Sequence, residues 1–196
     1  MKREQATLDV FKQNVTIDRL RLDAEKIKNS DISYPEFLKY FSDLKKLNRH
    51  NIIIGINFTY GWMPTIFDFR SDNLDEAVNI LNRAKHGQIP NEVELETLKK
   101  CFNNSLVGTS KLLHFINPSK FAIWDSRVIR YLGFSTYWLY KPKSYLDFLE
   151  FCKDITNQPE YNEIHNSIVK KFNHNGMTKY RTIELVMYEK DRKNNS

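Results

Sequence analysis

Cysteine is scarce in this sequence, and its spacing excludes several kinds of site. The two cysteines, Cys101 and Cys152, do not form a CxxC pair, so the chain lacks the usual ligand spacing of a zinc or iron–sulfur centre. Each cysteine lies within an amphipathic helical pattern. We therefore expect reduced thiols in the core of a cytosolic protein, with neither a metal site nor a disulfide framework.

The signature motifs of several enzyme classes are also missing. No Walker A, GxGxxG or GxSxG element occurs, which argues against nucleotide hydrolysis, dinucleotide redox chemistry and α/β-hydrolase chemistry. The five histidines, at positions 50, 86, 114, 165 and 174, form neither an HExxH motif nor another paired ligand spacing. The sequence thus predicts a protein without cofactor or nucleotide, in which His114 is packed rather than catalytic.

Long apolar runs are absent as well. No segment approaches the roughly 18 consecutive apolar residues of a membrane-spanning helix, because the candidate at residues 51–63 is broken by Asn and Gly. The first residues, MKREQATLDVF, are charged and lack the apolar region of a secretory signal. These features predict a soluble cytoplasmic protein without membrane contact.

The composition that remains is that of a globular protein with an excess of positive charge. Hydrophobic residues make up 41% of the chain, and the net charge is +6. The length suits one well-buried domain, with two lobes around a cleft as the alternative: about 30–105, and 106–196 together with the N-terminal helix. The charge indicates a polyanionic partner, although solvated tails would explain part of it.

Helical periodicity runs through every long segment, so the predicted fold is all-α. Residues 7–29 predict a helix that is interrupted near Asn14–Thr16, and the end of the chain, DRKNNS, is expected to fray. Helix start signals occur at Ser33 with Glu36, at Ser71-Asp72, and at Asn91 with Glu94.

Residues 51–60 are ambiguous by composition. Their isoleucines favour a strand by propensity. No second β-rich run exists to pair with them, however, and a lone strand cannot satisfy its backbone hydrogen-bonding groups. We therefore predict a buried helix, which Pro64 ends or bends.

The residues with the clearest chemical character lie between Leu106 and Gly133, in LVGTSKLLHFINPSKFAIWDSRVIRYLG. Gly108, Thr109 and Ser110 precede an apolar run and predict a helix N-terminus whose backbone N–H groups could meet a phosphate. A simple helix cap is the alternative. Asp125 precedes SRVIRYLG, where a carboxylate is among the best N-cap residues and stabilises a helix by roughly 1 kcal/mol.

This segment resembles part of the helix-hairpin-helix DNA glycosylases. In FAIWDSRVIRYLG, the run from Asp125 to Val128 occupies the place of that family's Asp-Thr-His-Val element, which contains the catalytic Asp. Residues 59–67 and 180–188, TYGWMPTIF and YRTIELVMY, look like motifs of bacterial and phage proteins related to the oxoguanine-glycosylase branch. Two departures stand out: the family hairpin has two glycines where only Gly108 is present, and its lysine lies further upstream than Lys111.

The resemblance implies a DNA glycosylase, a hydrolase of base excision that acts on double-stranded DNA with a flipped, damaged or modified base. Asp125 would be the essential carboxylate. Lys111 would be a Schiff-base nucleophile if the enzyme also has AP-lyase activity. The alternatives are that Asp125 only caps its helix, and that Lys111 is a snorkelling lysine or a phosphate contact.

The resemblance also suggests binding residues. Backbone or side-chain contacts to DNA would come from Gly108, Thr109, Ser110, Arg127 and Arg130, and the base pocket from Tyr60, Trp62, Trp124 and Arg181. Such aromatics equally suit a core, the arginines suit a solvated helix face, and Arg181 suits an ion pair with Glu184 or Glu189. The alternative functions are a non-catalytic DNA-binding helical protein and an interaction protein of phage or of phage defence.

Overall fold

A computed structural model describes residues 6–25, 27, 33–63, 73–174 and 176–194 of the chain. Within these ranges the protein is helical and contains no strand, which confirms the all-α prediction. None of the helices in these ranges is long and apolar enough to cross a membrane. The α-helices are α1 (Ala6–Asn14), α2 (Ile17–Ala24), α3 (Tyr34–Ser42), α4 (Arg49–Trp62), α5 (Leu74–Lys85), α6 (Glu92–Cys101), α7 (Leu106–Ile116), α8 (Ser126–Tyr131), α9 (Pro142–Thr156), α10 (Tyr161–Phe172) and α11 (Lys179–Asn194).

The chain divides into two compact units. One consists of residues 31–121 and the other of residues 1–30 together with 122–196. The boundary between the units therefore falls after Phe121, whereas the boundary predicted from the sequence lay between residues 105 and 106. Helix α7 belongs with α3 to α6, against which it packs.

The helix starts agree in part with the sequence signals. The predicted capping box at Asn91 and Glu94 forms, and the expected interruption near Asn14–Thr16 separates α1 from α2. Helix α3 does begin after Ser33, but the Ser33 side chain makes no capping hydrogen bond, because this residue already has helical backbone angles. The predicted signals at Ser71-Asp72 and Pro64 lie outside the described residues.

The ambiguous segment 51–60 is helical, as predicted. It lies within α4, which begins with a reciprocal capping box between Asn48 and Asn51. Ile52 and Ile56 are fully buried, whereas Ile53 and Ile54 are 39% and 38% exposed. The predicted burial of this helix therefore holds for one face of α4 only.

Helix α7 forms the centre of unit 31–121. It packs against α3, α4, α5 and α6, and Leu112 and Leu113 are completely buried. His114 is equally buried: its Nε2 lies 2.7 Å from the Tyr34 hydroxyl and its Nδ1 lies 2.6 Å from the Phe121 carbonyl oxygen. Both ring nitrogens are thus engaged in core hydrogen bonds, which agrees with the packed role predicted for this histidine.

Helix α11 has the corresponding position in the other unit, where it packs against α2, α8, α9 and α10. A buried carboxylate, Asp23, links three of these elements. Its Oδ2 accepts a hydrogen bond of 2.9 Å from the Tyr131 hydroxyl, and its Oδ1 lies 3.0 Å from the Lys190 ammonium. Burial raises the pKa of the Tyr131 phenol, so this hydroxyl stays protonated and donates a hydrogen bond to Asp23.

Both cysteines are free and buried, as expected from their helical positions. Burial raises the pKa of the Cys152 thiol well above its usual value, and the nearby Glu184 acts in the same direction. A thiol in this environment stays protonated and behaves as a small apolar side chain.

Replacement of Asp23 by alanine tests the role of this carboxylate. Asp23→Ala leaves the Lys190 ammonium and the Tyr131 hydroxyl without their acceptor, and we expect the free energy of unfolding to fall by about 2–4 kcal/mol. Asp18→Ala, which removes a largely exposed acid from the same helix, should change it by less than about 0.5 kcal/mol. Urea unfolding of the two variants checks this, and equal effects would contradict the linking role of Asp23.

Candidate functional site

Asp125 caps helix α8 and is held in one orientation by the backbone. Its own backbone is extended, with φ −145° and ψ 178°, and its Oδ1 accepts hydrogen bonds of 3.0 Å from both Arg127 N and Val128 N. The residue is only 7% exposed. Among the described residues no hydrogen bond reaches the other carboxylate oxygen, Oδ2. The cap predicted from the sequence is therefore present, and it uses one of the two oxygens.

The residues in front of Asp125 anchor it in the core. Residues 121–124 have no regular secondary structure, yet all four are buried. The Trp124 indole donates a hydrogen bond of 3.1 Å to the Leu139 carbonyl, and its ring centroid lies 5.0 Å from that of Phe148. With none of its surface exposed, Trp124 cannot line a base pocket in this conformation, which corrects the role expected for it.

Both arginines of α8 point to the same acid on α11. The Arg130 guanidinium donates through Nε and Nη2 to the Asp191 carboxylate, at 3.2 and 2.6 Å from Oδ2, and this pairing raises the pKa of Arg130. The Arg127 Nη1 lies 3.8 Å from Asp191 Oδ2, and its guanidinium carbon lies 5.2 Å from the Tyr188 ring centroid. About a third of each arginine side chain remains exposed, at 31% and 38%. Asp191 is thus the anion that these arginines already bind, and any phosphate would share them with it.

The sequence predictions give Asp191 no role, because the segment DRKNNS, which begins with it, was expected to fray. It is buried within α11, and it lies four residues after Met187 and eight after Ile183, both of which are completely buried. This i, i+4, i+8 spacing places the three residues on one helical face, so the signal was present in the sequence.

The glycine and hydroxyl residues at the start of α7 are buried, contrary to expectation. Helix α7 begins at Leu106, and its cap is Ser105, whose hydroxyl accepts a hydrogen bond of 3.1 Å from Gly108 N. Thr109 and Ser110 have no exposed surface, and their hydroxyls donate to the Ser105 and Val107 carbonyls. They lie inside the first turns of the helix rather than before it. The predicted phosphate contact at Gly108–Ser110 is therefore contradicted.

Gly108 has a packing role against Tyr60. A β-carbon at this position would lie 2.7 Å from the Tyr60 hydroxyl oxygen and 2.8 Å from the ring. Tyr60 is itself 2% exposed and donates a hydrogen bond of 2.8 Å to the Phe102 carbonyl, and its burial raises the pKa of the phenol. Tyr60 is consequently a core residue and not a wall of an open pocket.

Lys111 and Trp62, both predicted site residues, come together in unit 31–121. The Lys111 Nζ lies 4.9 Å from the Trp62 ring centroid, and both side chains are half-buried. The Trp62 ring packs edge-on against Phe115, with 5.3 Å between their centroids. The contact is a cation–π pair, which stabilises the charged form of the amine. Asp125 belongs to the other unit.

Arg181 forms an ion pair with Glu184, one turn along α11, which confirms the simpler of its two predicted roles. The pair is not on the surface, however, since the two side chains are 10% and 1% exposed. Within the described ranges, no group of three His, Cys, Asp or Glu side chains is arranged to hold a metal ion.

Alanine at Gly108 tests the packing role of this glycine. Because the added methyl group would overlap the Tyr60 ring, we expect Gly108→Ala to lower the free energy of unfolding by about 1–3 kcal/mol. Gly61→Ala is the matched control, since a β-carbon there meets nothing within 4 Å and should stabilise α4 by up to about 1 kcal/mol. Thermal and urea unfolding measure both, and a stabilised Gly108→Ala variant would show that Gly108 is not needed for packing.

Comparison of the chain with protein-family models, with curated proteins and with solved structures gives no significant match. The likeness to helix-hairpin-helix glycosylases therefore rests on the short sequence segments alone. What the residues can do chemically follows from the placement of their side chains, above all that of Asp125.

Proposed function

We propose that the protein is a DNA glycosylase that removes a damaged or modified base, with Asp125 as its essential carboxylate. The observation that carries this proposal is the asymmetric use of the two Asp125 oxygens. Oδ1 is fixed by two backbone N–H groups, whereas Oδ2 has no hydrogen-bond partner among the described residues. A fixed carboxylate with one uncommitted oxygen suits a group that must face a developing positive charge without reorganising.

The proposed reaction is hydrolysis of the N-glycosidic bond. The bond between the deoxyribose C1′ and the base nitrogen breaks, and the base leaves with the electron pair and takes a proton from solvent. A water oxygen forms the new bond to C1′, and Asp125 Oδ2 accepts the proton that this water loses. Before the water adds, the negative charge of Asp125 stabilises the positive charge on the sugar.

The contact of Lys111 with Trp62 favours water over lysine as the nucleophile. A Schiff base requires a neutral amine, but the Lys111 Nζ lies against the face of Trp62, where the ammonium form is favoured. We therefore propose a monofunctional enzyme, without the AP-lyase step that the resemblance also allowed. Of the four predicted pocket residues, Trp62 alone is not buried.

The proposed partner is double-stranded DNA with the target base flipped out of the stack, since a stacked base is out of reach for any side chain. The net charge of +6 supports a polyanionic substrate. Arg127 and Arg130 follow Asp125 within five residues on α8, and their exposed portions could add phosphate contacts beside Asp191.

Asp125→Asn separates catalysis from helix capping. Asparagine is as good an N-cap as aspartate, so the variant should keep its thermal stability within about 0.5 kcal/mol. It lacks the negative charge, and we expect base excision to fall by about 10²-fold or more. The assay uses duplex oligonucleotides with a broad panel of damaged and modified bases, phage-type modified cytosines included, followed by alkali.

Strand breaks at equal rates with wild type and Asp125→Asn would contradict the proposed role of this carboxylate. If the wild type breaks no strand across the panel yet binds duplex DNA as the variant does, the protein is a non-catalytic DNA-binding protein. If the protein has no affinity for DNA at low salt, the remaining alternative is an interaction protein of phage or of phage defence.

Borohydride trapping distinguishes the two nucleophiles. With water as the nucleophile, no covalent protein–DNA adduct forms, and Lys111→Ala should excise the base within about threefold of the wild-type rate, because the lysine takes no part in the proposed reaction. An adduct that forms with wild type and disappears in Lys111→Ala would show that the lysine attacks C1′.

A further inference from the structure

The 3-10 helix between α8 and α9, Thr136–Tyr140, presents two aromatic rings to solvent. Tyr137 is 61% exposed and Tyr140 is 57% exposed, and in the described part of the chain no other large aromatic side chain is exposed to this degree. In a 3-10 helix, residues three apart lie in line on one side. The two phenol rings therefore stand on the same face of this short element.

This 3-10 helix is anchored to the core by Trp138 and Leu139. Its two tyrosine rings are therefore exposed on an ordered element. The ring centroid of Trp138 lies 5.8 Å from that of Phe134, with the planes at 85°, and the Phe134 centroid lies 5.1 Å from that of Phe11. Leu139 is buried, and its carbonyl accepts the hydrogen bond from the Trp124 indole. The exposed rings are thus fixed relative to the residue that precedes Asp125.

The chain segment that contains the rings is rich in basic residues. Between Asp125 and Asp147 the sequence contains four basic residues and no acidic one. Arg130 and Lys143 pair with acids outside this stretch, Asp191 and Asp147. Lys141 makes no ion pair within the described part of the chain, and its exposed ammonium lies 4.8 Å from the Tyr137 ring centroid.

Two aligned aromatic rings beside an exposed lysine that makes no ion pair in the described part of the chain match the chemistry of a nucleic-acid strand. Base faces stack on exposed aromatic side chains without regard to sequence, and a lysine ammonium attracts the phosphates between them. The bases of an intact duplex stack on each other and do not offer their faces, so the surface suits unpaired nucleotides.

We propose that Tyr137, Tyr140 and Lys141 form a stacking surface that binds unpaired DNA nucleotides near Asp125. The hydrogen bond from Trp124 to Leu139 fixes this surface relative to the proposed catalytic carboxylate. The identity of the strand as DNA rests on the proposed function, whereas stacking on an unpaired strand follows from the rings and the charge. The surface would hold nucleotides that become unpaired when a base leaves the duplex.

Fluorescence anisotropy with a labelled oligothymidine tests the surface at several salt concentrations. We expect Tyr137→Ala and Tyr140→Ala each to weaken binding by about tenfold, the typical effect of losing one stacked base. The Tyr137→Phe, Tyr140→Phe double variant keeps both rings and should bind within about twofold of the wild type. Lys141→Ala should reduce the slope of log affinity against log salt by about one, and Lys100→Ala, at an exposed lysine of α6, should not.

Base excision by the wild type, measured separately on the duplex panel, keeps the two proposals apart. Binding that depends on the tyrosines, in a protein that excises no base, supports the stacking surface and overturns the glycosylase. Excision with single-strand binding that is unchanged by both alanine substitutions overturns the surface and leaves the glycosylase intact. If the wild type does not bind oligothymidine at low salt, the proposed stacking surface is overturned.

Discussion

Two hydrogen bonds from the backbone N–H groups of Arg127 and Val128 to Asp125 Oδ1 determine the geometry on which the functional interpretation depends. They are the ordinary interactions of an N-cap, stabilising by about 1 kcal/mol, and they explain why an acid precedes this helix. They also fix the direction of the carboxylate, because the extended backbone at Asp125 follows four buried residues. In the proposed function, the structural and chemical roles of Asp125 belong to its two different oxygens.

The acid of α11, Asp191, protects this arrangement from the neighbouring arginines. The Arg130 guanidinium donates to Asp191, so its hydrogen bonds are not directed at the Asp125 carboxylate. Arg130 still interacts electrostatically with Asp125, and the charge of Asp125 contributes to the raised pKa of Arg130. A negative charge that is oriented by backbone dipoles, while the Arg130 guanidinium donates its hydrogen bonds to Asp191, suits the proposed interaction with a cationic sugar.

Much of the fold follows from local sequence patterns, because periodicity and capping residues indicate where the backbone forms helical hydrogen bonds. The all-α class, the capping box at Asn91 and Glu94, and the helix over residues 51–60 were predictable in this way. The start of α7 was not predictable, since Ser105 and Gly108 are both reasonable N-terminal residues and the choice shifts the helix by less than one turn. That small shift moves Thr109 and Ser110 from a helix end into the core, where their hydroxyls bond to preceding carbonyls.

The candidate site was less predictable than the fold for a related reason. The sequence shows where aromatic residues cluster, but it does not show which of them are buried. Burial decides whether an aromatic ring fills the core or lines a pocket. Trp124 and Tyr60 are core residues, whereas Tyr137 and Tyr140 are exposed, although all four lie in aromatic-rich segments. The role of Asp191 depends on a helix that continues to Asn194, beyond the point at which composition suggested fraying.

The charge of Asp125 is tested most directly with analogues of the reaction's cationic state. Duplexes that contain a pyrrolidine abasic site, which is positively charged, are compared with duplexes that contain the neutral tetrahydrofuran site, so that no knowledge of the excised base is needed. If Asp125 faces C1′, the wild type should bind the cationic duplex at least about 10²-fold more tightly than the neutral one, and Asp125→Asn should lose most of this preference. Equal affinities for the two duplexes in the wild type would contradict a catalytic role for Asp125.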